Sequence, residues 1–227
     1  MTTAEGWAAT VRSRIGLGRL LPLGGPADGA WVAERAANAV LRRAARQVPG
    51  VEPGRLRIAP AEAEAARFAA EPVFPAPPGS VPPGPLRIEA EFAAGYGAAL
   101  PDLAERVRTA LFAASAQRLG LPVTEVDLRV TALLDAPPDA PATAPPPGEP
   151  ATQVAQPPED PVGAAAAAVP GVARLTTTLG PSVHRAADHV RIELETAPGH
   201  RALDVAVAVR EAVGGTLPVT VLVTDVL

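Results

Sequence analysis

Five short words occur twice in this chain of 227 residues, in the same order, and no other feature limits its fold as tightly. Val48-Pro49-Gly50-Val51 returns as Val169-Pro170-Gly171-Val172, and Arg87-Ile88-Glu89 as Arg191-Ile192-Glu193. Val107-Arg108 followed by Ala110 returns as Val209-Arg210 followed by Ala212. Leu121-Pro122-Val123-Thr124 returns as Leu217-Pro218-Val219-Thr220, and Val130-Thr131 as Val223-Thr224. A bias toward alanine does not generate ordered words of Pro, Gly, Arg and Glu. The expectation is a duplication of one small unit.

Proline places the boundaries. Residues 71–85 contain seven prolines and residues 135–161 contain ten. Because proline fixes φ and removes a backbone donor, neither stretch continues a helix or a central strand. The sequence therefore divides into an N-terminal segment 1–28, a first repeat 29–135 with a Pro-rich insert 71–85, a disordered Pro-rich linker 136–161 and a shortened second repeat 162–227.

Each repeat reads as the same series of elements. Residues 30–47 hold good helix formers, with Val32, Ala36, Ala39, Val40 and Ala44 at helical spacing and Asp28 placed as a cap. Residues 55–58 make a short strand. Leu86, Ile88, Ala90 and Phe92 alternate with Arg87, Glu89 and Glu91, the period of a half-buried strand. Residues 101–119 form a second helix with Leu103, Val107, Ala110, Leu111 and Ala114 on one stripe and Gly120 as its stop. In residues 123–133, Val126, Leu128 and Val130 face inward. The second repeat follows with an Ala-rich helix remnant before Val169, strands at 172–179 and 190–194, a helix at 202–213 and a last strand at 219–226. In the strand at 190–194, Arg191, Glu193 and Glu195 lie on the polar face. The fold class expected is α+β: two copies of an α-β-β-α-β unit, each a three-stranded sheet covered by helices on one face, joined by the Pro-rich linker.

Composition narrows the function. All twenty basic residues are arginine, and the net charge of −4 argues against a general nucleic-acid binder. Residues 1–58 carry nine arginines against four acids, and residues 136–227 five against ten. The absence of cysteine excludes disulfides and thiolate metal sites and fits a reducing cytoplasm. No uncharged apolar run reaches the roughly 18 residues of a membrane span.

A search for chemistry yields no catalytic residue, no cofactor site and no metal site. Gly16-Leu17-Gly18 follows no strand and has Leu21 where a phosphate loop has its third glycine. His184 and His189 lack a clear third ligand beyond Asp188, and His200 stands in a loop. None of the four serines lies in a nucleophile-elbow motif. Outside the repeat, Trp7, Val11 and Ile15 form an apolar stripe flanked by Arg12, Arg14 and Arg19. Trp7, Arg12, Ile15 and Arg19 are candidates for docking on a partner or a membrane surface, unless the segment folds back onto the first repeat.

Residues 29–51, with Gly29-Ala30-Trp31-Val32-Ala33-Glu34 leading to Val48-Pro49-Gly50-Val51, resemble the opening of the alkaline-shock family of bacterial envelope-stress proteins. Residues 107–134, with Leu119-Gly120-Leu121-Pro122-Val123, are similar to that family's closing helix and strand. The resemblance covers about half of residues 29–134, and that family has no agreed catalytic residues. It implies a small cytoplasmic protein associated with the membrane through protein partners and involved in envelope stress. The reading is a non-catalytic interaction scaffold whose oligomeric state, homo-oligomer included, stays open. The alternative is a small-molecule-binding or regulatory module with a pocket between the two repeats.

Overall fold

The computed structural model describes residues 16–61, 73–97, 99–134 and 160–227. Within them the chain is mixed α+β, with nine strands in two sheets and four α-helices. In chain order these are β1 (Leu20–Leu23), β2 (Ala30–Ala33), α1 (Glu34–Arg46), β3 (Val51–Pro60), β4 (Leu86–Gly95) and α2 (Leu100–Ala114). There follow β5 (Val123–Leu134), α3 (Pro161–Ala167), β6 (Val172–Leu175), β7 (Val183–Arg185), β8 (Val190–Thr196), α4 (Ala202–Val213) and β9 (Val219–Val226). No described helix is long and apolar enough to cross a membrane.

The smaller sheet runs β3-β4-β5, antiparallel then parallel. Its alternation follows the sequence: Leu86, Ile88, Ala90, Phe92 and Ala94 of β4 are buried on the helix side, while Glu89 on the other side is exposed. Helix α2 supplies Leu103, Val107, Leu111 and Ala114 to that core. It widens into a π-helical turn at Ser115–Leu119 and ends at Gly120, whose φ of 85° is a left-handed stop that favours glycine.

The larger sheet corrects the expectation of three strands in the second half: it has six. The order is β1-β2-β9-β8-β6, with β7 also on β8. Strands β6 and β7 lie end to end along one edge of β8, pairing with residues 194–196 and 190–192 respectively. The strand expected at 172–179 therefore stops at Leu175, and residues 177–182 bulge away between the two short strands. On the other side, β2 pairs in parallel with β9, and β1 forms an antiparallel hairpin with β2.

That hairpin corrects the helix expected to begin at residue 30. Ala30, Trp31, Val32 and Ala33 are all buried. A surface helix can bury only a stripe, whereas a strand inside a sheet buries both faces. The helix starts at Glu34. Asp28 caps no helix either; its carboxylate accepts the Gly25 N–H at 2.6 Å in the β1–β2 turn.

The two halves share one core. Helix α1 packs on β3 and α2 of the first half and also on β9 of the second. The Arg201 Nε donates to the Ala116 carbonyl at 2.7 Å and Arg118 to the Leu227 carbonyl at 3.1 Å, while the Gly24 N–H of the β1–β2 turn donates to the Gly120 carbonyl at 2.9 Å. The described part of the proline-rich insert crosses the larger sheet on its outer face. There Phe74 covers Leu20, Trp31 and Leu222, and the guanidinium of Arg210 stacks 4.1 Å from the Phe74 ring centre. The expected linker lies outside the described residues except for Asp160, which caps α3 through the Val162 N–H at 3.1 Å, and Pro161.

Candidate functional site

Of the four docking candidates in the N-terminal segment, Trp7, Arg12 and Ile15 lie outside the described residues. Arg19 is described, and it is engaged internally. Its guanidinium meets the Glu34 carboxylate at 2.8 and 3.2 Å, its backbone N–H donates to the same group at 3.2 Å, and it also reaches the Ile58 carbonyl. The contact ties β1 to the first turn of α1. Burial by itself would raise the Glu34 pKa. The hydrogen bonds and charge of Arg19, with the charge of Arg57, more than reverse this and hold it below the usual glutamate value.

The second concentration of chemistry is a polar layer on the outer face of the larger sheet. The strand alternation places Arg191, Glu193 and Glu195 together as expected, but they are not wet. Glu193 is fully buried and Glu195 nearly so. The Glu193 carboxylate accepts the Leu179 N–H at 2.9 Å from the bulge and the Arg191 guanidinium at 3.0 Å. Glu195 lies 2.5 Å from Arg174. The hydroxyls of Thr176 and Thr224 meet at 2.9 Å, and the Thr220 hydroxyl donates to the Pro75 carbonyl at 3.3 Å. Burial raises the Glu193 pKa, only partly offset by the Leu179 and Thr178 N–H groups and by Arg191. Sequence reasoning missed this layer, because an alternating charged strand reads as solvated unless its cover is known.

An open cleft of about 600 Å³ separates the halves, bounded by Ala116 and Gln117 of the π-helical turn and by Pro170, His200, Arg201 and Asp204. Arg201 and Asp204 pair with each other at 2.8 Å. The remaining histidines lie elsewhere: His184 on β7, and His189 with Nδ1 2.8 Å from Asp188. This hydrogen bond and the imidazole charge lower the Asp188 pKa. Among the described residues no three His, Asp or Glu side chains gather as a metal site.

The most exposed apolar surface lies at one end of the smaller sheet. The helix-side row of β5 passes from buried Val126 through half-buried Leu128 to Val130, 38% exposed, and Leu133, 59% exposed. Beside them stand Tyr96, 80% exposed, and Leu100 at the start of α2. Ala94 pairs with Leu133 and the Tyr96 N–H donates to the Leu134 carbonyl at 2.9 Å, so these side chains occupy one end of the sheet. The sequence pattern placed Val130 facing the core, as its row does. The exposure comes from the position of β5 at the sheet edge, which periodicity does not report. Comparison with protein-family models, curated proteins and solved structures finds no match to this chain.

Proposed function

We propose that this protein is a non-catalytic interaction scaffold, built from two diverged copies of an α-β-β-α-β unit and working through the exposed end of the smaller sheet. The observation that carries the contact surface is the exposure of Tyr96, Leu100, Val130 and Leu133 toward one end of the smaller sheet. Contiguous exposed apolar side chains on a protein surface mark places where other molecules bind. The setting, a cytoplasmic protein held near the membrane by partners during envelope stress, rests on the resemblance of residues 29–51 and 107–134 to the alkaline-shock family.

The duplication is supported by matching backbone hydrogen bonds. The Gly95 N–H donates to the Gly50 carbonyl at 2.8 Å, and the Ala197 N–H to the Gly171 carbonyl at 2.8 Å. Val51 bonds back to Val48 as Val172 does to Val169, and Leu86 bonds to Pro122 as Val190 does to Pro218. The pairs after the first strand also correspond, Ala61 to Pro85 and Ala186 to His189. Leu103 bonds to Ala99 as Val205 does to Arg201, the offset that separates Val107 from Val209, so these bonds agree with equivalent places for four of the five repeated words. The fifth does not: Val223 pairs with Leu194, two residues after Ile192, whereas Val130 pairs with Phe92, four residues after Ile88. β6 and β7 together take the place of β3, whose own register shifts between Pro53 and Leu56.

Affinity capture from the native host tests the contact surface. Proteins held by the wild type are expected to fall by tenfold or more with Leu133→Asp, because an unpaired carboxylate would have to leave water in an apolar contact, and about 1.4 kcal/mol is already tenfold. They are expected to be retained after removal of residues 1–15, which leaves β1 intact. Equal capture by wild type and Leu133→Asp would move the surface elsewhere. The second reading, a ligand module, is favoured by the cleft beside Gln117, His200 and Arg201. It requires a metabolite whose binding is lost in His200→Ala.

A further inference from the structure

We infer that β5 is the docking edge for a second copy of this chain, the two smaller sheets joining into one six-stranded sheet by antiparallel β5–β5 pairing centred on Leu128. The inference rests on the contact-surface reading in one respect, that the β5 end is a surface for association, and names its occupant.

β5 is twelve residues long and has no proline, and among the described residues only β4 pairs with it. Edge strands are ordinarily blunted by proline, bulges, lysine or inward charges, since their unpaired N–H and C=O groups template further pairing. β5 has bulges at Thr124 and Thr131, where its register with β4 shifts, and runs regularly between them from Glu125 to Val130. Here residues 129–133 are exposed without interruption, and they include Val130 and Leu133.

The charge order of the strand selects the occupant and the register. Glu125, Asp127 and Arg129 share the outer face, opposite Val126, Leu128 and Val130. When a copy pairs antiparallel with the centre at Leu128, Asp127 stands opposite Arg129 of the partner subunit, and the reverse pair forms across the two-fold axis. On the helix side, Val126 meets Val130 of the partner subunit and Leu128 meets its own copy. Neighbouring in-face registers carry like-charge contacts that this one lacks. Centring on Asp127 forms two Glu125–Arg129 pairs but sets two aspartates face to face on the axis, centring on Arg129 sets two arginines face to face, and centring on Val126 opposes Glu125 with Asp127 twice. Opposite-charge pairs directly across a sheet stabilise it and like charges destabilise it. A two-fold axis makes each good pair count twice. Arg129 has no ion-pair partner among the described residues, whereas Asp127 already meets Arg87 of β4 in its own chain and would share its carboxylate between Arg87 and Arg129 of the partner subunit. Pairing displaces one contact, the 3.4 Å bond from Arg108 Nε to the Val126 carbonyl.

A single strand pair is a small interface, so the dimer is concentration-dependent. Sedimentation equilibrium of the full-length wild-type protein, up to about 1 mM, is expected to show the mass rising from 23.0 kDa toward twice that value. Arg129→Asp and Asp127→Arg are each expected to weaken self-association by tenfold or more, and an equimolar mixture of the two to dimerise again. Circular dichroism confirms that each variant is folded. As a measurement independent of both variants, amide exchange at residues 126–130 is expected to slow as wild-type concentration rises. A wild type that stays at 23.0 kDa throughout, or a dimer indifferent to both substitutions, overturns the inference. Capture of a different protein through Leu133 by a strictly monomeric wild type would overturn it while leaving the contact surface standing.

Discussion

Glu193→Ala is expected to lower the unfolding midpoint by about 10 °C. The substitution leaves the Arg191 guanidinium, only 12% exposed, without its carboxylate, and strips the acceptor from the Leu179 N–H. Breaking a buried pair from one side costs about 3–5 kcal/mol, and each kcal/mol moves the midpoint of a chain of this size by about 2–4 °C. Glu193→Gln, which keeps an acceptor for Leu179, is expected to cost less than half as much. The pH dependence separates the charge from the packing. Because the folded-state pKa of Glu193 lies above its unfolded value, the folded protein holds the proton more tightly. This contribution to stability is complete below the unfolded glutamate value and is lost as pH rises through the raised folded value. Glu34 acts in the opposite sense: with its pKa lowered, its contribution is present above the unfolded value and is lost as pH falls through the folded one. The difference in midpoint between wild type and Glu193→Gln should therefore change with pH only above the ordinary glutamate value. A difference that is constant across that range would contradict the burial of this carboxylate.

Gly120→Ala is expected to cost about as much, for a different reason. The position has φ 85°, where a side chain is strained by about 1–2 kcal/mol. An added methyl would also fall within contact distance of the Leu203 Cβ and 3.0 Å from its Cδ2, on the helix of the other half. Overpacking of this kind costs a further 1–3 kcal/mol, roughly. Gly50→Ala is the control. Its φ of 81° carries the same backbone strain, but no atom lies within 4 Å of the added methyl. Thermal unfolding should show a loss of several degrees for Gly50→Ala and about twice that for Gly120→Ala. Equal losses would mean that α4 does not pack against the end of α2.

How much of this could be read from the sequence differs by element. β4 was legible because one of its faces is wet, so Arg87, Glu89 and Glu91 mark the period of two. α2 was legible because its stripe ends in a glycine that takes the left-handed conformation. β2 was not. Alanine and valine fit a buried strand and a helix alike, and beyond the β1 hairpin the partners of Ala30 to Val32 are residues 221–223 at the far end of the chain. No local pattern announces pairing at that separation. Glu193 illustrates the same limit. Its alternation with Ile192 and Leu194 was correct, but what covers the other face is the bulge at 177–182, whose position depends on where β6 stops. The exposure of Tyr96 and Leu133 belongs to this class too, because exposure at a sheet edge follows from the neighbours a strand lacks.

Site-specific photo-cross-linking in the native host most directly tests whether the protein works through that surface. A photoreactive side chain replaces Tyr96 or Leu133 on the exposed end, or His200 in the cleft between the halves. Protein-sized adducts from positions 96 and 133, with none from 200, are the predicted result. Adducts confined to position 200, with positions 96 and 133 silent, would contradict it and assign function to the cleft.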